Sequence, residues 1–228
     1  RFLTREHTHL PDHGGTLTLR EKEVRHRSPF PRLRENYYKA NWGDPLFPSR
    51  LRLHAPGLKA KGVDAQRLGG PQRFGLINHS LHNYVPSRTY GKAHPEYFAL
   101  IDGKRHAEVE ADWGGHGTQL CYSHPDVLRI VTERVLEDLR KDPDRQTISV
   151  SQADNGYYCR CPDCEAINER ERSPMGALLS FVNKVAEAVE AEFPDVLVGT
   201  LAYQWSRKPP AHLKPRDNVL IQLCSIEC

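Results

Sequence analysis

Apolar positions in the second half of the chain recur with two clear periods. Between Ser123 and Asp142, the residues Val127, Leu128, Val131, Val135 and Leu139 return every three or four positions, the spacing of one helix face. Ser123 stands where a capping side chain is wanted, Pro125 and Asp126 suit a first turn, and Asp142-Pro143 ends the run. A second stripe, Leu178, Val182, Val185, Val189 and Phe193, predicts a helix from about Pro174 to Phe193, stopped by Pro194. Thr147 to Val150 reads as a strand, and Val196 to Tyr203 and Val219 to Leu223 are near-continuous apolar runs, as in strands covered on both faces. Helix, strand, helix, strand, strand is an α/β order, and an incomplete (β/α)₈ TIM-like barrel fits it best.

The first part of the chain reads differently. Residues 1–73 are rich in Pro, Gly, Arg and His, with Thr16-Leu17-Thr18-Leu19 as the one short periodic run and turn-prone stretches at Ser28-Pro29-Phe30-Pro31 and Leu68-Gly69-Gly70-Pro71. We therefore divide the chain into a loop-rich lead-in with the first barrel strand region, 1–73, and a partial barrel, 74–228. Arg73 to Ile77 predicts a strand feeding the polar loop Asn78-His79-Ser80-Leu81-His82-Asn83-Tyr84. Glu96 to Leu100 predicts a strand entering a hairpin turn at Ile101-Asp102-Gly103-Lys104. No internal repeat or heptad array is visible.

Composition bounds the class without naming it. With 228 residues, 38% of them hydrophobic, the chain can bury a substantial core. No stretch approaches the ~18 apolar residues of a membrane span. The chain opens Arg1-Phe2-Leu3-Thr4, and its last residues read as a buried strand reaching its loop, so a fragment of a longer protein is expected. Net charge is +3, but residues 1–70 hold 14 Lys and Arg against 7 Asp and Glu, a surplus of +7. These cations are scattered among Pro, Gly and Glu rather than lined along a helix, which suits a solvated surface better than a nucleic-acid face. Neither a dinucleotide glycine motif, a phosphate-binding loop nor a G-x-S-x-G elbow appears, so nucleotide chemistry and serine hydrolysis lack support, and no organic cofactor is expected.

The richest chemistry lies in Ser151-Gln152-Ala153-Asp154-Asn155-Gly156-Tyr157-Tyr158-Cys159-Arg160-Cys161-Pro162-Asp163-Cys164, directly after a strand. Cys159, Cys161 and Cys164 offer three thiolates within one loop, and tetrahedral zinc would take a fourth ligand from Cys121, Cys224, Cys228 or a His. Disulfides or free buried thiols are the other readings of these six cysteines, which leave the compartment open. Asp154 opens an Asp-Asn-Gly turn and can serve as a turn residue alone. Paired with Glu227 at the end of the last strand, it can instead form the acid and base of a two-carboxylate hydrolase. His79, His82 and Asn83 cluster after one predicted strand, and Tyr203 and Trp205 follow another. Such polar and aromatic groups suit a sugar ring, and packing roles suit them equally.

Several segments resemble a bacterial family catalogued as domain of unknown function 4838. They include His79-Ser80-Leu81-His82-Asn83, His94 to Leu100, Asp102-Gly103-Lys104-Arg105, Leu120-Cys121, Ser149 to Cys164, Phe181-Val182-Asn183, Leu201-Ala202-Tyr203 and Asn218-Val219. The likeness covers 74–228. It implies a glycoside-hydrolase-like barrel, distantly similar to the alpha-glucuronidases, whose acid follows the fourth strand and whose base follows a later one. By that resemblance Asp154-Asn155-Gly156 corresponds to a Glu-Gly acid motif and Glu227 to an Asp, so both acids are exchanged.

These readings converge on a glycoside hydrolase acting on a polysaccharide or uronic-acid-containing glycan, with Asp154 as general acid and Glu227 as base or nucleophile. His79, His82, Asn83, Tyr203 and Trp205 would bind sugar, and a structural zinc on Cys159, Cys161 and Cys164 would brace the loop. Carbohydrate is the expected partner, nucleic acid and membrane are not, and a secreted or periplasmic full-length protein is favoured. The rival readings are a non-catalytic carbohydrate-binding barrel and a zinc-containing nucleic-acid module.

Overall fold

The helix that begins with Pro125 shows how local chemistry sets this architecture. The computed structural model describes residues 77–108 and 118–224, all within one compact unit, Arg73–Cys228. Its elements in order are the short helices α1 (Leu81–Tyr84) and α2 (Ser87–Tyr90), a 3₁₀ turn at Pro95–Tyr97, β1 (Leu100–Ile101), β2 (Lys104–Arg105), α3 (Pro125–Lys141), β3 (Thr147–Ser149), α4 (Pro162–Arg170), α5 (Met175–Glu192), β4 (Leu197–Ala202), a 3₁₀ turn at Gln204–Ser206, and β5 (Val219–Leu223).

Helix α3 has proline in its first turn, Asp126 beside the N-terminal dipole and Arg140 and Lys141 in its last turn. Its cap is His124, whose Nδ1 accepts from the Asp126 amide at 3.2 Å, and not the Ser123 expected from sequence. Ser123 is used elsewhere, as described below. Val127, Ile130, Val131, Val135 and Leu139 are buried, and α5 buries Leu178, Val182, Val185 and Val189. The two helices pack on each other, and α5 lies on β4. The core they enclose includes Ile148, Val150 and Val198.

Strands β3, β4 and β5 form a parallel sheet in chain order, with Ser149 opposite Gly199 and Gly199 opposite Leu220. On the free side of β3, Ser80 and Leu81 donate backbone N–H groups to Ser151 O at 3.2 and 3.1 Å. The Asn78 amide donates to Ser149 Oγ at 3.1 Å, so residues 78–80 run alongside β3 in the same direction. Gly199 permits this approach, because a Cβ there would lie 2.6 Å from Ile77 Cγ1. The expected strand Arg73 to Ile77 is otherwise outside the described residues, as are the lead-in 1–73, Glu227 and Cys228.

The α/β class stands as expected, and three local readings differ. The described residues hold an α/β arrangement with a three-stranded parallel sheet and a two-stranded hairpin and no closed (β/α)₈ barrel, since three parallel strands are too few to close. Glu96 and Tyr97 lie in the 3₁₀ turn that Pro95 starts, so the hairpin strand is shorter than the apolar run. Its turn is as expected, with Asp102 and Gly103 at φ +48° and +78°. Helix α4 was missed, as were α1 and α2, the first of which occupies Leu81–Tyr84 of the expected polar loop. Finally, β5 is not covered on both faces among the described residues: Ile221 is 36% and Leu223 69% exposed, because β5 is the edge of the described sheet.

Candidate functional site

The candidate chemistry among the described residues centres on the segment leaving β3. Two groups can be separated there, a thiol cluster and a carboxylate turn.

The thiol cluster is assembled from separate pieces of backbone. Arg160 N donates to Leu100 O at 2.8 Å, laying residues 159–161 along the β1 hairpin, and Leu100 N donates back to Cys159 Sγ at 3.3 Å. Cys161 caps α4, Pro162 occupies its first position, and Cys164 follows in the first turn. Cys121 arrives on a strand-like segment, fixed by its N–H to Tyr97 O at 2.8 Å and the bridge of Phe98 with Leu120. The four Sγ atoms, all buried, lie within 4.8 Å of one another, and Cys121 and Cys161 Sγ are 3.5 Å apart. Zinc–thiolate bonds of about 2.3 Å at tetrahedral angles place sulfurs roughly 3.8 Å apart, so these side chains fit a closed four-sulfur metal centre. Of the fourth-ligand candidates Cys121, Cys224 and Cys228, the structure brings Cys121 into the set.

The surroundings suit anions. Ser123 Oγ lies 3.4 Å from the sulfurs of Cys121 and Cys161 and 3.2 Å from that of Cys164. Arg105 Nη1 donates to Phe98 O at 2.8 Å and sits 3.9 Å from Cys159 Sγ. Hydrogen bonds from the Cys159 and Cys164 thiols hold Cys121 far below the ordinary thiol range. The same bond to Cys121 pushes Cys159 up to about 12, and Cys164 is pushed up strongly by Cys121 and then Cys159. Burial, with the thiolate charges, also raises the Tyr122 phenol well above its usual value. Full ionisation of the set would call for a cation at its centre.

The carboxylate turn follows from how residues 152–157 are pinned. Gln152 is fully buried and donates from Nε2 to Leu201 O at 3.2 Å and Ser206 Oγ at 2.7 Å. Asn155, rather than Asp154, closes the local turn, its Oδ1 accepting from the Tyr157 amide at 3.1 Å. Asp154 Oδ1 accepts from the Tyr203 hydroxyl at 2.9 Å and lies 3.6 Å from His79 Nε2, with the carboxylate about one-third exposed, at 37%. His79 Nδ1 lies 2.7 Å from Gln152 O, a carbonyl that only accepts, so Nδ1 carries a proton and Nε2 faces the carboxylate. The His79 and Tyr203 rings are 5.5 Å apart. Burial, and also the bond to Asp154, raise the Tyr203 phenol above its ordinary value against an opposing bond with Gln204, keeping it a donor.

Among the sequence-expected residues, Asp154, His79 and Tyr203 therefore meet. Trp205 stands beside Tyr158, ring centres 5.4 Å apart, and Tyr157 is 60% exposed. His82 is half-buried and Asn83 exposed on α1. Glu227 lies outside the described residues. Sequence reasoning missed Arg105 and Ser123; the Asp102-Gly103 turn was the available signal for the first, and the second was hidden by its apparent capping role.

A family model described as Domain of unknown function (DUF4838) matches residues 15–228. No curated protein and no solved structure matches the chain.

Proposed function

The chain belongs to the DUF4838 family, and on that premise we propose that it is part of a (β/α)₈ glycoside hydrolase acting on a polysaccharide or uronic-acid-containing glycan. The observation that carries this reading is the Asp154 carboxylate at the carboxyl end of β3, bonded to Tyr203 at the carboxyl end of β4 and beside His79. Consecutive parallel strands paired in chain order, with helices packed on one face, support the barrel.

In this mechanism Asp154, as general acid, delivers a proton to the leaving glycosidic oxygen. Glu227 acts as base or nucleophile on the other side of the sugar ring. His79, Tyr203 and the aromatic rings of Tyr157, Tyr158 and Trp205 line the sugar, with His82 and Asn83 at its edge. A polysaccharide substrate would be met outside the cytoplasm, and no helix of the described residues is long and apolar enough to cross a membrane.

Zinc is the proposed occupant of Cys121, Cys159, Cys161 and Cys164, in a structural role, because four sulfurs leave no position for a reacting water. Metal analysis should find about one zinc per chain, and Cys121→Ser should lower zinc affinity at least tenfold; full retention by that variant overturns the centre.

The enzyme reading is tested with Asp154→Asn on a panel of plant and algal polysaccharides. Turnover should fall by at least about 10²-fold with binding retained. Binding by both forms with turnover by neither would favour a carbohydrate-binding barrel instead, and steep salt-dependent binding to RNA or DNA would favour the nucleic-acid module.

A further inference from the structure

Gln119 is 2% exposed and none of its amide valences is wasted. Its Nε2 donates to Ala153 O and to Asn155 Oδ1, both at 3.0 Å. Its Oε1 accepts from the Ala153 amide at 3.2 Å and from the Tyr122 hydroxyl at 2.9 Å. The orientation of the amide is not arbitrary, since Ala153 O can only accept and Ala153 N can only donate. Gln119 thus engages both backbone groups of the residue before Asp154 and the side chain of the residue after it. Asn155 in turn bonds its own N–H to Ala153 O at 3.0 Å and receives the Tyr157 amide.

We propose that Gln119 is the positioning residue of the Asp154 turn, acting as a side-chain substitute for the strand partner that Ala153 lacks. Its own backbone is held, as its carbonyl accepts from Ala99 N at 2.9 Å, and Cys121 lies two residues further along the same segment. The segment therefore carries a thiol of the metal centre and the template of the carboxylate turn together. The positioning claim stands on geometry alone; its consequence for catalysis rests on the proposed role of Asp154.

The test is native-state amide exchange, residue by residue, on the full chain and on Gln119→Leu and Gln119→Glu, with zinc content measured for each. In Gln119→Leu the amides of Ala153, Asn155 and Tyr157 should exchange about tenfold faster or more. Those of Val150 and Cys121, bonded to Gly199 O and Tyr97 O, should keep their rates, as should zinc content. If Gln119→Leu loses protection throughout because it fails to fold, Gln119→Glu decides. It keeps an acceptor for Ala153 N and Tyr122 and lacks the donor, so Ala153 should stay protected while Asn155 and Tyr157 become fast. Wild-type rates at Asn155 and Tyr157 in Gln119→Glu overturn the proposal. With a substrate in hand, kcat should fall in Gln119→Glu with KM little changed. Unaltered turnover in Asp154→Asn would remove the catalytic reading of Asp154 and leave the exchange result standing.

Discussion

Glu171 is a carboxylate buried to 3% exposure in a part of the molecule that does no proposed chemistry. Its Oε2 accepts from the amides of His212 and Leu213 at 2.9 and 2.7 Å, its Oε1 from Arg170 Nε at 3.1 Å, and its carbonyl from Ala211 N at 2.8 Å. It ties the loop 208–214 to the end of α4, and the Leu213 amide, more than any other group, lowers its pKa. A lowered folded-state pKa means stability present above the unfolded carboxyl range and lost as pH falls through the folded value. Glu171→Gln should therefore lower Tm at pH 7 by roughly 2–6 °C, with the gap to wild type closing in acid, as read by thermal melts from pH 7 to pH 3. Residues of this kind are the least legible in a sequence. Nothing around Glu171 or Gln119 marks them locally, because the backbone groups they satisfy lie about 30 to 40 residues away. Asp154 was legible as a candidate, since a carboxylate in a turn after a strand is visible directly. That Asn155 would take over the turn was not.

Helices α3 and α5 were legible because each buries a stripe that repeats every three or four residues, and each ends where Pro or Asp-Pro demands. Helix α4 was hidden because it buries Cys164 and Asn168 against an otherwise charged run, which reads as loop. Strand β5 shows the opposite failure: an apolar run implies burial, but burial depends on neighbours that sequence does not show. The stripe of α5 carries the largest consequence for stability. Leu178 is fully buried, and truncation to Ala should cost about 2–5 kcal/mol through lost transfer energy and the cavity left behind. Urea unfolding checks this, with the midpoint falling and the slope unchanged. A cost below about 1 kcal/mol would mean that α3 and α5 collapse onto the vacated space.

At the scale of the whole molecule, the thiol centre ties the β1 hairpin, the segment at Cys121 and the start of α4 to one point. Three of its thiols were legible from spacing, and the fourth was one of several candidates, since sequence cannot say which distant Cys the fold returns. Its metal affinity should depend steeply on pH. Cys159 and Cys164 hold their protons strongly, so these must leave when a cation binds, and apparent zinc affinity should weaken as pH falls from 8 to 6. Competition with a chromophoric chelator across that range measures it; a flat profile would mean that the thiols do not ligate the ion. The span of the centre also sets an order of events. Cys121 and Cys161 are forty residues apart in the chain, and Cys159, Cys161 and Cys164 are made long after Cys121. A chain emerging residue by residue must therefore carry an unsatisfied thiol until its partners follow. With zinc as the proposed occupant, the set closes only after Cys164 has been made, so metal supply at that stage would bear on whether the Asp154 loop is held in place.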